Sequence, residues 1–286
     1  MSGTGATGAT GGMSGAGGLG ATGGMSGTGG RGGAGAMSHT GRVLAPIPFR
    51  RLLVVEARKL ADTRSGKIMT AVLAALALAA VAGRGFVTDP KLQTLAFSAG
   101  MPIATLMPVL AILAVTGEWS HRTALTTFTL EPRRGRVLAA KYVPAMAAAL
   151  AASLLAALVA VPATAAVAAV RGVPAVWEMN PLALLGWAGT NVLMVAMGLA
   201  LGTLLLNAPA AIVVYLVNPM LWSVVGRLGD TGETLAGWLD LNATVAPLVT
   251  GDMTGAGAAR LAVSAALWIV VPMTAGAVRV VRKEVG

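Results

Sequence analysis

The chain of 286 residues has no cysteine and only two histidines, His39 and His121. Disulfide frameworks and thiolate chemistry are thereby excluded, and a histidine-based metal site has almost nothing to be built from. Charge is scarce as well. Only 11% of the residues are Asp, Glu, Lys or Arg, against roughly 25% in an ordinary soluble domain. A globule so poor in charge could not cover its surface in water, which argues against a soluble enzyme. Apolar side chains are abundant instead, at 56% of the chain with a mean hydropathy of +0.76. The expectation is an all-α polytopic membrane protein.

Residues 1–36 stand apart. They repeat every twelve residues as MSGTGATGATGG, MSGAGGLGATGG and MSGTGGRGGAGA, and hold 17 of the 38 glycines. Met37 opens MSHTGR in the same phase. A segment with so few apolar side chains cannot offset its ordering entropy, so a disordered Gly/Ser/Thr-rich tail is expected over 1–45. It lacks the apolar run of a signal peptide. It reads either as a flexible tether or as a duplicated leader with translation starting at Met37.

Over 46–286 the apolar runs are long enough to cross a bilayer, which takes about 20 residues of helix. Spans are expected near 68–87, 95–117, 142–170, 182–206, 208–226 and 261–278. The first depends on Lys67 and Arg84 snorkelling out of the hydrocarbon. Leu182–Val225 would reach about 66 Å as one helix, and Asn207-Ala208-Pro209 is the expected break.

With the N-terminus inside and the spans alternating, 16 basic and 5 acidic residues fall inside, and 5 basic and 6 acidic residues outside. The split of +11 against −1 follows the positive-inside rule and accounts for the pI of 11.2. Nucleic acid therefore loses its claim as a partner, and both termini are expected in the cytoplasm. No ionisable residue sits mid-span, which argues against ion-coupled transport and for energy supplied from outside the membrane domain. Prolines in the spans should free carbonyls that find partners on neighbouring helices. Gly198-xxx-Gly202 allows close backbone approach in the fourth span, and reads either as a dimer contact or as chance spacing in an Ala/Gly-rich chain.

Phe49–Arg64 places Phe49, Leu52, Leu53, Ala57 and Leu60 on one helical face, the pattern of an amphipathic helix lying on the membrane surface. Thr116–Tyr142 is the longest polar segment between spans. In it Glu118 and Arg122 stand at i, i+4, and Glu131-Pro132-Arg133-Arg134-Gly135-Arg136 reads as a basic turn. Its threonines and Phe128 exceed what a solvated loop requires and suit a protein-docking surface. Outside, Thr234–Leu241 reads as an interfacial helix with Trp238 at headgroup level, and the Asn242-Ala243-Thr244 sequon reads as chance.

The run TGEWSHRTALTTFTLEPRRGRVLAAK over 116–141 resembles the permease subunits of type-two ATP-binding-cassette transporters. The matching features are a Gly-Glu, an Arg-Thr, a Pro-x-Arg and a Lys opening the third span. Glu56-xx-Lys59 is similar to the family's interfacial helix before the first span. The resemblance covers roughly 46–285. It implies that Glu118, Arg122, Thr123, Pro132, Arg133, Arg136 and Lys141 form a coupling loop seated on a separate ATPase subunit. It further implies a second permease half, as homo- or heterodimer. The chain has no GxxxxGK[ST] motif, so it would bind no cofactor directly, and ATP would be used by the partner. The function implied is a transport subunit, an exporter in the cytoplasmic membrane; the 16 Arg to 5 Lys suit a GC-rich bacterium. Spans with so few polar groups suit an amphiphilic or apolar cargo. The alternative is a six-span membrane enzyme or assembly factor, with Glu118, His121 and Glu131 or Asp230, Glu233, Asp240 and Asp252 as its titratable groups.

Overall fold

The computed structural model describes residues 48–62, 64–120 and 133–282. The expected tail over 1–45 lies outside these. Among the described residues the protein is all-α, with six helices long and apolar enough to cross a membrane. It is a multi-pass membrane protein.

A short helix, α1 (Phe49–Asp62), precedes the first span, α2 (Arg64–Val87). Then come α3 (Leu92–Ser120) and α4 (Arg134–Arg171), followed by α5 (Pro181–Leu205) and α6 (Ala208–Val225). Two short helices follow, α7 (Asp230–Leu239) and α8 (Leu241–Thr250). The last span starts as α9 (Gly255–Ala265), passes through a π-helical turn at Ala266–Val270, and ends as α10 (Val271–Arg282). Each expected span coincides with a helix: 182–206 and 208–226 run one residue past the ends of α5 and α6, whereas the other four helices outrun the apolar runs. At 38 residues, α4 would reach about 57 Å. It takes in Arg134, Arg136 and Lys141, so the second half of the expected basic turn, 134–136, is the opening turn of a helix; Glu131 and Pro132 lie outside the described residues.

The α5–α6 break falls where Asn207-Ala208-Pro209 placed it. Leu206 ends α5 in the left-handed region at φ 51°, a conformation costing a branched residue about 1–2 kcal/mol. Asn207 then caps α6, its Oδ1 accepting from Ala210 N at 3.0 Å. At its start α5 is capped by Asn180 with Pro181 in the first turn, an arrangement suited to proline's missing N–H.

α5 is the hub, packed against α3, α4, α6, α8, the π turn and α10. Its most apolar stretch is 67% buried, whereas that of α2 is 6% buried. Lipid is as apolar as leucine, so association in the membrane depends on close packing and hydrogen bonds. Gly198 and Gly202 supply the packing: a Cβ on Gly198 would stand 2.7 Å from Pro108 O, and one on Gly202 would stand 3.3 Å from Ile112 Cα. The Gly-xxx-Gly pair is thus spent against α3 inside the chain. Gly276 of α10 lies equally close to Thr203 and Leu204 of α5.

One proline-freed carbonyl finds the partner expected for it. Pro108 cannot donate to Ala104 O, and Tyr215 Oη of α6 donates to that oxygen at 2.9 Å. The π turn aims Trp268 at the short helices, where its Nε1 donates to Leu239 O at 2.8 Å.

Candidate functional site

By alternation, one end of the bundle gathers α1, the close of α3, the start of α4, the α5–α6 junction and the close of α10. This α1 end carries most of the basic residues. The 121–132 segment joining α3 to α4 issues here, and Arg122, Thr123 and Pro132 of the expected coupling loop lie outside the described residues, as do His121 and Glu131. Glu118 lies in the last turn of α3. Arg133 is exposed just before α4.

The half-buried face of α1 is Phe49, Leu52, Leu53 and Glu56. Ala57, expected on that face, is exposed. Glu56 takes the inward position because α4 offers it a cation. Lys141 is 7% exposed, and its Nζ donates to Glu56 Oε2 at 3.1 Å. Lys59 Nζ meets the other oxygen, Oε1, at 2.6 Å. Side-chain exposure ranks the two pairs: 6% and 14% for Lys141–Glu56, 49% for Lys59. An exposed i, i+3 pair contributes about 0.3–0.5 kcal/mol. Breaking a buried pair by removing one partner costs roughly 3–5 kcal/mol. The link to α4 is therefore the stronger one. Above it the Arg136 guanidinium lies 6.0 Å from the Phe49 ring centroid, within cation–π range.

Two groups expected separately, the interfacial pair Glu56 and Lys59 and the residues Arg136 and Lys141 beyond the loop, therefore form one junction. The polar links continue inward. Tyr142, next to Lys141, shares a hydrogen bond with Thr203 of α5 at 2.8 Å. Leu204, next to Thr203, accepts from Arg279 Nη1 of α10 through its carbonyl at 2.7 Å. Glu56, Lys141, Tyr142, Thr203, Leu204 and Arg279 thus join α1, α4, α5 and α10 in series. Sequence reasoning missed Tyr142, Thr203 and Arg279. The available signal was adjacency: a tyrosine directly after the lysine that opens a span.

Deeper in the bundle, Asn191 Nδ2 donates to Ser153 Oγ at 2.9 Å. Asn218 is 1% exposed and its Oδ1 has no hydrogen-bond partner among the described residues.

At the far end the acids considered for catalysis hold local structure. Asp230 and Glu233 occupy the first turn of α7, where negative charge suits the helix dipole. Asp240 caps α8, accepting from Asn242 N at 2.9 Å. The expected interfacial helix spans Asp230–Leu239, and Trp238 is 40% exposed with Arg260 5.7 Å from its ring centroid. A second short helix, α8, follows it; Leu241 and Val245 bury it against α5. Thr244 of the sequon is buried and hydrogen-bonded to Ser264 at 2.6 Å.

No protein-family model matches the chain and no curated protein matches it.

Proposed function

We propose that the protein is the membrane-spanning half of an ATP-binding-cassette transporter. It works as an exporter in a bacterial cytoplasmic membrane, with both termini in the cytoplasm, and is driven by a separate ATPase subunit. A second permease half completes the pathway. The observation that carries this reading is the series of polar links at the α1 end. A subunit pushed from outside the membrane must convert movement at a surface segment into movement of packed helices. The 121–132 segment joins α3 to α4, and α4 is held to α1 through Glu56–Lys141 and to α5 through Tyr142–Thr203. Any displacement of the start of α4 therefore loads the interfacial helix and the hub together. The charge asymmetry, the lack of mid-span ionisable groups and the resemblance over 116–141 support the same reading.

Isolation of the tagged chain from its native membrane tests it. An ATP-hydrolysing subunit should co-purify, and the complex in sealed vesicles should move an amphiphilic cargo only when ATP is supplied. Transport by the chain alone, or no associated ATPase under conditions that preserve the fold, would refute the reading.

A further inference from the structure

A groove of about 670 Å³ runs between α2 and α3 at the far end, lined by Ala80, Gly83, Arg84, Thr94, Phe97 and Met101 among others. It opens toward the membrane, since Arg84 and Gly83 are exposed and Met101 is 72% exposed. A Cβ on Gly83 would meet nothing within 4 Å. From Thr94 to Met101 the groove covers about 10 Å of helix, inside the roughly 15 Å of hydrocarbon in one leaflet. Its inner wall is fixed by Phe97, stacked on Trp187 of α5 at 5.2 Å between centroids.

The mouth is basic. Arg84 lies in the last turn of α2, at the depth from which its stem snorkels to the phosphate level. Among the described residues no ion pair or side-chain hydrogen bond holds the Arg84 guanidinium. Arg171, another cation near this turn, is committed to the carbonyls of Gly85 and Thr88. Asp89 is the one carboxylate in the turn from α2 to α3.

We propose that this groove holds an anionic phospholipid, with an acyl chain along Ala80, Gly83, Phe97 and Met101 and its phosphate against Arg84. The apolar length within one leaflet and the uncommitted Arg84 at its mouth fit that occupant. A free anion would leave the groove empty, and a second copy of the chain would have to cover Arg84.

Native mass spectrometry of the full chain released from micelles tests this, with phosphatidylglycerol and phosphatidylcholine of matched chains added in turn. Wild type should retain phosphatidylglycerol over phosphatidylcholine, and inorganic phosphate should not displace it. Arg84→Ala should lower the apparent affinity for phosphatidylglycerol about five-fold, to the level of the neutral lipid. Gly83→Leu, which fills the groove while improving helix propensity, should abolish retention of both lipids. Arg227→Ala, an exposed far-end cation away from the groove, should leave retention unchanged. Should Gly83→Leu fold poorly, the Arg84→Ala comparison decides alone. Equal retention by wild type and Arg84→Ala, or full competition by inorganic phosphate, would overturn the proposal. So would lipid retention that survives Gly83→Leu while the oligomeric state changes, because the groove would then be a subunit contact.

Discussion

Glu56→Gln should loosen α1 from the bundle far more than its place on a surface helix suggests. The carboxylate is shared by Lys59 and Lys141, and the two partners differ in worth. Lys59 is half exposed, so Lys59→Ala should cost no more than about 0.5 kcal/mol. Lys141 is buried beside the start of α4, and removing its carboxylate should cost roughly 3–5 kcal/mol, less whatever the long stem recovers by snorkelling. Replacing both members of the buried pair, as in Glu56→Leu with Lys141→Met, removes two desolvated charges together and should return stability to within about 1 kcal/mol of wild type. Unfolding free energies in mixed micelles for wild type, Glu56→Leu, Lys141→Met and the double variant close the cycle. Additive single effects, each below about 0.5 kcal/mol, would refute the reasoning and leave α1 held by Phe49, Leu52 and Leu53 alone.

Cysteines introduced at Gly172 and Asp230 should react with a membrane-impermeant thiol reagent on intact cells, while one at Gly286 should not; labelling at Gly286 would overturn the proposed orientation. Gly276→Val should be poorly tolerated, because a Cβ there already lies 2.7 Å from the backbone of Thr203 and Leu204; folded yield in membranes measures it, with Gly135→Val, which meets nothing, as the tolerated control. Tyr215→Phe leaves the Ala104 carbonyl freed by Pro108 without its donor and should cost about 0.6–1.7 kcal/mol, read as a loss of thermal stability in detergent. A chain beginning at Met37 should reach the membrane in the same yield as the full sequence, since the glycine repeat has almost nothing to bury; a clear loss would show that the repeat contributes.

The spans were legible because length and hydropathy are one-dimensional properties: a bilayer demands about 20 apolar residues wherever they stand. The α5–α6 break was legible for a similar reason, since Asn207 and Pro209 act within a turn of their own positions. The helix ends were not. Hydropathy registers where the hydrocarbon stops, whereas α4 begins at Arg134 because helical hydrogen bonding continues into the headgroup layer. Pairing across the bundle was hidden as well. Nothing local in Glu56 says that it faces inward, because the reason is Lys141, 85 residues away. Gly198 and Gly202 announced close packing without naming the partner, which proved to be α3. The short helix α8 escaped notice because its ten residues are too few for a span, and Asn242, Thr244 and Thr250 are too scattered to give a helical period away.

The reading as a permease half is tested most directly at Glu118 and Arg122, on the segment leaving α3 at the α1 end. If that segment seats in an ATPase subunit, truncating either charge removes a buried, hydrogen-bonded interface partner at a cost of roughly 2–5 kcal/mol, about 30-fold to several-thousand-fold in affinity. An i, i+4 pair on an exposed helix face contributes only about 0.3–0.5 kcal/mol to the fold. Glu118→Ala and Arg122→Ala should therefore insert and fold like wild type while losing the co-purified ATPase, ATP-driven efflux, or both. Association and efflux at wild-type levels in both variants would contradict it, and the loop would then carry no more than the ordinary positive charge of a membrane protein's inner face.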